Sequence, residues 1–180
     1  VVIQEMINSQ QSGVMFTADV QSGNRRRIVM EATLGLGEAL VSGQVKPDKY
    51  VVDKRKHAIL DKLIQDKNIA IYCSNDAQQD QQQVENTRHV STSSDGSNLK
   101  PALTDEQVLL VAKSGLLIEQ SLYVNEPQDV EFAFDSNGQF HVLQTRPITS
   151  LYPLPLPLTP CYTTQQPSAT NKKEFENVYI

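Results

Sequence analysis

Short apolar runs bounded by glycine, asparagine and serine recur along the first 150 residues, and most of them are too short for helices. Val14 to Ala18 and Arg27 to Thr33 read as two strands joined around Ser22-Gly23-Asn24. YVVDKRKHAILDKLI reads as a hairpin with Asp53 to Lys56 at its tip, and VVIQEMI at the start reads as a short apolar strand. One stretch departs from the strand period. In LTDEQVLLVAKSGLLIEQSL, Thr104 is placed to cap a helix and Gln107 to complete a capping box, and Val108, Leu109, Val111, Ala112, Leu116 and Leu117 supply a broad apolar face. A small second helix is also compatible with the pattern. Many strands and one long helix predict an α+β domain whose sheet is mostly antiparallel.

The last strands carry the most chemistry. In DVEFAFDSNGQFHVLQTRPIT, two apolar runs, Val130 to Phe134 and Phe140 to Leu143, flank Asp135-Ser136-Asn137-Gly138, a strong hairpin signal. If Asn137 and Gly138 form a two-residue turn, Ser136 pairs with Gln139, Glu131 with Gln144 and Asp129 with Arg146. A four-residue loop shifts the partners by one pair and keeps the faces. Asp129, Glu131, Gln144 and Arg146 then share one face, while Val130, Phe132, Phe134, His141 and Leu143 share the other. Two readings of the polar face stand on pattern alone. It is a solvated strand face with a cross-strand ion pair worth about 0.2–1 kcal/mol. Alternatively it is a shelf for a magnesium polyphosphate, since magnesium takes one or two carboxylates plus phosphate oxygens and arginine matches phosphate with a planar fork of donors.

Between the strands lie two irregular stretches. LGLGEALVSGQVKPDKY places Gly35, Gly37 and Gly43 close together, which permits tight turns or a close approach to a ligand, with Glu31 and Glu38 nearby and unassigned. SNDAQQDQQQ is polar and glutamine-rich and reads as a long exposed loop. After Pro147 the chain carries Pro153, Pro155, Pro157, Pro160 and Pro167, which favour an extended linker. The folded unit is expected to span residues 1–149, with a proline-rich linker or tail over 150–180.

Charge narrows the partners. Lys and Arg number 16 against 21 Asp and Glu, a formal net charge of −5, so neither nucleic acid nor an anionic membrane has electrostatic support. No apolar run approaches a membrane span. Cys73 and Cys161 are far apart and lack a zinc-type spacing, which points to a reducing compartment, the cytoplasm. Valine rather than methionine stands at position 1, which points to a chain that begins inside something larger.

The motifs VVIQEMI, SGVMFTAD, EATLGLGEALVSGQVKPDKYVV, EPQDVEFAF and HVLQTRPIT, in this order, resemble the ATP-binding domain of phosphoenolpyruvate synthase, pyruvate phosphate dikinase and the rifampin phosphotransferases. The resemblance runs from Val1 to about Thr149 and departs locally at the glutamine-rich loop. It implies the C-terminal subdomain of an ATP-grasp fold, with ATP and Mg2+ as ligands. It implies that Gln4 contacts the base region and the backbone around Met6 reads the base edge. It also implies that Glu131 and Gln144 are magnesium ligands, that Arg146 is the catalytic group on the phosphates, and that Asp129 supports the same shelf. The reading of the polar face then moves to a nucleotide shelf. The resemblance further implies that ATP is split to AMP and phosphate through a histidine on a separate swivelling domain; His57, His89 and His141 lack the Thr-Ser-His type of context that histidine uses. The N-terminal half of the grasp and the phosphohistidine domain would be supplied from outside this stretch, by the same or another chain. The alternative expectation is a non-catalytic interaction module that keeps the ATP-grasp fold.

Overall fold

In a computed structural model of the chain, residues 1–43, 45–67, 69–73, 87–91, 100–121 and 126–152 are described. The elements run β1 (Ser9–Phe16), β2 (Arg27–Leu34), α1 (Glu38–Val41), β3 (Asp48–Asp53), β4 (Ala58–Leu63), β5 (Ile69–Cys73), β6 (Thr87–Ser91), α2 (Asp105–Ser121), β7 (Gln128–Asp135) and β8 (Phe140–Pro147). Six strands make one antiparallel sheet in the order β4-β3-β2-β1-β7-β8, and β5 and β6 form a separate ribbon. The α+β expectation is met by this sheet and one main helix. The glutamine-rich loop and, from residue 153 on, the proline-rich tail anticipated from the sequence lie outside the described residues.

Alternation along the strands decides which face is buried. Met15, Ile28, Met30, Tyr50, Val52, Val130, Phe132 and Phe134 all point to one face and form its core with Val108, Val111 and Ala112 of α2. Burying side chains of this size stabilises by about 1.5–3 kcal/mol each relative to exposure. The rings of Phe132, Phe134 and Phe140 cluster with centroids 5.5–6.2 Å apart. The helix starts as its sequence predicts: the Thr104 N–H donates to Gln107 Oε1 at 2.9 Å, and the Gln107 N–H donates to Thr104 Oγ1 at 3.2 Å. Its buried stripe is narrower than expected, because Leu109 and Leu117 project from the sheet and stay exposed. Gly115 takes their place at the closest approach to Met15.

Asp48 ties three segments together inside this core. Its Oδ1 accepts from Lys67 Nζ at 2.6 Å and from the Gln65 N–H at 2.8 Å, and its Oδ2 accepts from the Ala102 N–H at 2.6 Å and the Tyr50 hydroxyl at 3.3 Å. Burial, ahead of the nearby Asp48 charge, pushes the Tyr50 hydroxyl well above the ordinary phenol range.

Two expectations fail in this fold. VVIQEMI forms no strand, since residues 1–8 join no ladder and Val1, Val2 and Ile3 are exposed. A strand needs a backbone partner on a neighbouring strand, and this segment has instead the Gln4 side chain on Leu143 O of β8 and Ile7 O accepting from Cys73 Sγ and the Ser9 N–H. The hairpin tip is also different. The Gly138 N–H donates to Asp135 O at 3.0 Å, Gly138 has φ +75°, and the Asp135 N–H donates to Gln139 O at 3.1 Å. This is a three-residue loop with glycine in the left-handed region, in place of the two-residue turn. Phe134 therefore pairs with Phe140 and Ala133 with His141, one residue away from the expected register.

The turn carboxylates give the fold a defined acid response. Asp135 Oδ1 accepts from the N–H groups of Asn137 and Gln139 at 2.8 and 2.9 Å, and Asp53 Oδ1 accepts from those of Arg55 and Lys56, both at 2.8 Å. These bonds, foremost those from Gln139 and Lys56, hold the two carboxyls below the ordinary value of 3.8. A group more acidic in the folded state stabilises the fold above its unfolded value, and that contribution is lost as pH falls through the lower folded value. Denaturant melts from pH 6 down to pH 2 are expected to show a flatter acid limb for Asp53→Asn with Asp135→Asn than for the parent. An unchanged acid limb in the double variant would show that these turns carry none of it.

Candidate functional site

The face of the sheet opposite α2 carries the polar chemistry in rows. One row of strand partners runs Lys49, Glu31, Val14, Glu131 and Gln144 across β3, β2, β1, β7 and β8, and the next runs Val51, Val29, Phe16, Asp129 and Arg146. Glu131 stands opposite Gln144 and Asp129 opposite Arg146, as the hairpin parity predicts. The route to that register is unexpected. The ladder slips by one residue between Glu131 and Phe132, and this bulge at Leu143 offsets the three-residue loop at the tip. Between bulge and tip, the strand β8 is displaced by one residue from the expected register. His141 therefore leaves the apolar face, where the sequence reading put it, pairs with Ala133, and has Nε2 3.2 Å from Asp135 Oδ2. Leu143 likewise leaves the core face and joins Gln144 in lining the cavity on the polar side.

That cavity measures about 400 Å³, within the range of small-ligand sites, about 300–1,000 Å³. Four of the anticipated residues line it, Gln4, Met6, Glu131 and Gln144, together with the loop from Leu36 to Leu40. Its apolar walls come from Val14, Leu36, Leu40, Phe132 and Leu143, and its carboxylates from Glu5, Glu38 and Glu131. Gln4 does not point freely into the space: its Nε2 donates to Leu143 O at 3.1 Å, at the bulge.

Asp129 and Arg146 lie one row away and line a neighbouring depression with Phe16 and Ile148. Arg146 Nε donates to Asp129 Oδ2 at 2.8 Å, Nη2 lies 2.8 Å from the same oxygen as an ion pair, and the side chain remains 65% exposed. Asp129 is buried, and its Oδ1 has no hydrogen-bond partner. A buried carboxylate oxygen left without a donor carries a desolvation cost of about 1–3 kcal/mol, which an incoming cation or donor removes. With Glu131 and Gln144 beside it, the donor set is all hard oxygen and fits magnesium. No group of three His, Cys, Asp or Glu gathers as a metal cage among the described residues. A magnesium site needs none, because it keeps water and phosphate oxygens among its ligands.

Leu143 and Ser12 are among the cavity residues that sequence reasoning passed over. Leu143 enters through the bulge, for which the sequence carries no signal. Ser12 carries a faint one, a small polar residue inside a strand, and it is 1% exposed on the cavity side of β1.

The chain belongs to the family described as pyruvate phosphate dikinase, AMP/ATP-binding domain, which it matches over residues 1–153. Among its relatives is the phosphoenolpyruvate synthase of Pyrococcus furiosus, 40% identical over 151 residues that make up 83% of this chain and 18% of that enzyme. The rifampicin phosphotransferase of Bacillus subtilis is 37% identical over 155 residues, 86% of this chain and 16% of that protein. The chain thus spans less than a fifth of the length of these relatives. No helix among the described residues is long and apolar enough to cross a membrane.

Proposed function

We propose that this chain forms the Mg·ATP-binding sheet of a dikinase-type phosphotransferase, as the C-terminal subdomain of an ATP-grasp. The observation that carries this reading is the convergence of Gln4, Met6, Glu131 and Gln144 on one cavity, with Asp129 and Arg146 in the adjoining row. Glu131 and Gln144 would hold magnesium, which when bound neutralises phosphate charge. Arg146 lies along the same strand as Gln144 and projects an exposed guanidinium toward the region that the phosphates would reach from the cavity. Asp129 fixes the orientation of that guanidinium through the Nε bond and the ion pair to Oδ2. The segment around Met6, with Leu36, Leu40 and Leu143, offers an apolar slot suited to a base, and Gln4 holds that segment against β8.

Catalysis of phosphoryl transfer is mostly positioning and charge stabilisation, so an arginine at the phosphates supplies stabilisation that grows as charge develops. Splitting of ATP to AMP and phosphate would pass the phosphoryl group to a histidine on a swivelling domain outside this chain, in a cytoplasmic enzyme. Titration of the whole polypeptide with ATP tests the reading. Binding is expected with magnesium and to weaken about tenfold or more in Arg146→Ala, whereas adenosine binding stays the same. Absence of magnesium-dependent ATP binding in the parent would overturn it.

A further inference from the structure

Gly35 is where β2 ends and the chain turns over the cavity. Its φ of +76° lies in the left-handed region, and a Cβ there would sit 2.1 Å from Ile71 O, so only glycine fits. Three bonds hold the turn. The Gly35 N–H donates to Gln10 O at 2.8 Å and the Leu36 N–H donates to Ile71 O at 2.7 Å. The third comes from a side chain: Ser12 Oγ donates to Gly35 O at 2.8 Å.

Ser12 is singular among its neighbours. Its strand partners are Thr33 on β2 and Ala133 on β7. Ala133 has no polar side chain, and the buried Thr33 Oγ1 has no partner, so neither replaces the serine bond to the loop. A Cβ placed on Gly37 would lie 3.6 Å from Ser12 Oγ, so the loop rests directly on the hydroxyl. Beyond Gly37 the same loop delivers Glu38 and Leu40 to the cavity wall.

We infer that Ser12 is a positioning residue for nucleotide binding: its hydroxyl sets the height of the Gly35–Leu40 loop over the cavity, and so the fit of the nucleotide, without reaching the phosphate end. The inference rests on the Mg·ATP reading for its ligand and on the loop geometry alone for its mechanism. Ser12→Ala removes one hydroxyl and little volume, and Ser12→Cys keeps the shape with a weaker donor.

Two measurements on these variants separate the parts. Amide hydrogen exchange of the ligand-free chain is expected to quicken about five- to tenfold at Gly35, Leu36 and Leu40 in Ser12→Ala, less in Ser12→Cys, and not at Met30 or Val52 in the core. In the whole polypeptide, the Kd and KM for Mg·ATP are expected to rise by a similar factor in Ser12→Ala while kcat stays within about twofold. Unchanged exchange in the loop, or equal quickening throughout the sheet, would overturn the inference. A fall in kcat at constant KM would overturn it as well, by placing Ser12 at the reacting groups. If the loop loosens as expected but the parent binds no Mg·ATP, the loop role is supported and the nucleotide reading fails.

Discussion

Glu131→Ala is expected to abolish ATP turnover by the whole polypeptide while leaving the fold in place. The carboxylate is one of two polar side chains that β7 and β8 present side by side at the cavity, the other being the amide of Gln144. On the proposed reading its loss would leave the magnesium complex of ATP with an amide as its single protein ligand there. Removing one preorganised group of this kind costs about 10²–10³ in rate. The fold has no comparable stake in it: Glu131 faces away from α2, and the core neighbours Val130 and Phe132 are untouched. Thermal unfolding is therefore expected within about 1 kcal/mol of the parent. Parallel assays of ATP-dependent product formation and of melting check both halves. Turnover at the parent rate would remove Glu131 from the metal site.

Asp48→Ala is expected to do the reverse, destabilising the chain by about 3–5 kcal/mol, because it breaks a buried ion pair. The Asp48 side chain is fully buried against Lys67, which is 2% exposed. Besides the ammonium, the Ala102 and Gln65 N–H groups would lose their acceptor, and the entry to α2 would be left tied to β3 through Tyr50 and Leu103. Urea melts of the purified chain measure the loss. A change below about 1 kcal/mol would mean that water or another acceptor replaces the carboxylate.

Strand alternation and the capping box were legible because both are local. The period of two marked the core face of β7, and Thr104 with Gln107 marked the start of α2. The pairings of Glu131 with Gln144 and Asp129 with Arg146 were legible as well, although for an incomplete reason. A three-residue tip and a bulge at Leu143 offset each other, and neither leaves a mark in the pattern of apolar residues. His141 and Leu143, which lie between the two irregularities, were consequently assigned to the wrong face. Long-range contacts were the other blind spot. Nothing in the sequence places Ser12 under Gly35, 23 residues away, or Asp48 against Ala102, 54 residues away.

The bulge at Leu143 also makes the cavity optically addressable. The chain contains no tryptophan, so its near-ultraviolet emission comes from tyrosine alone. Leu143 stands outside the regular ladder and lines the cavity. An indole at that one position would be the only such fluorophore in these 180 residues, and its emission would follow the filling of the cavity in real time, with no label attached.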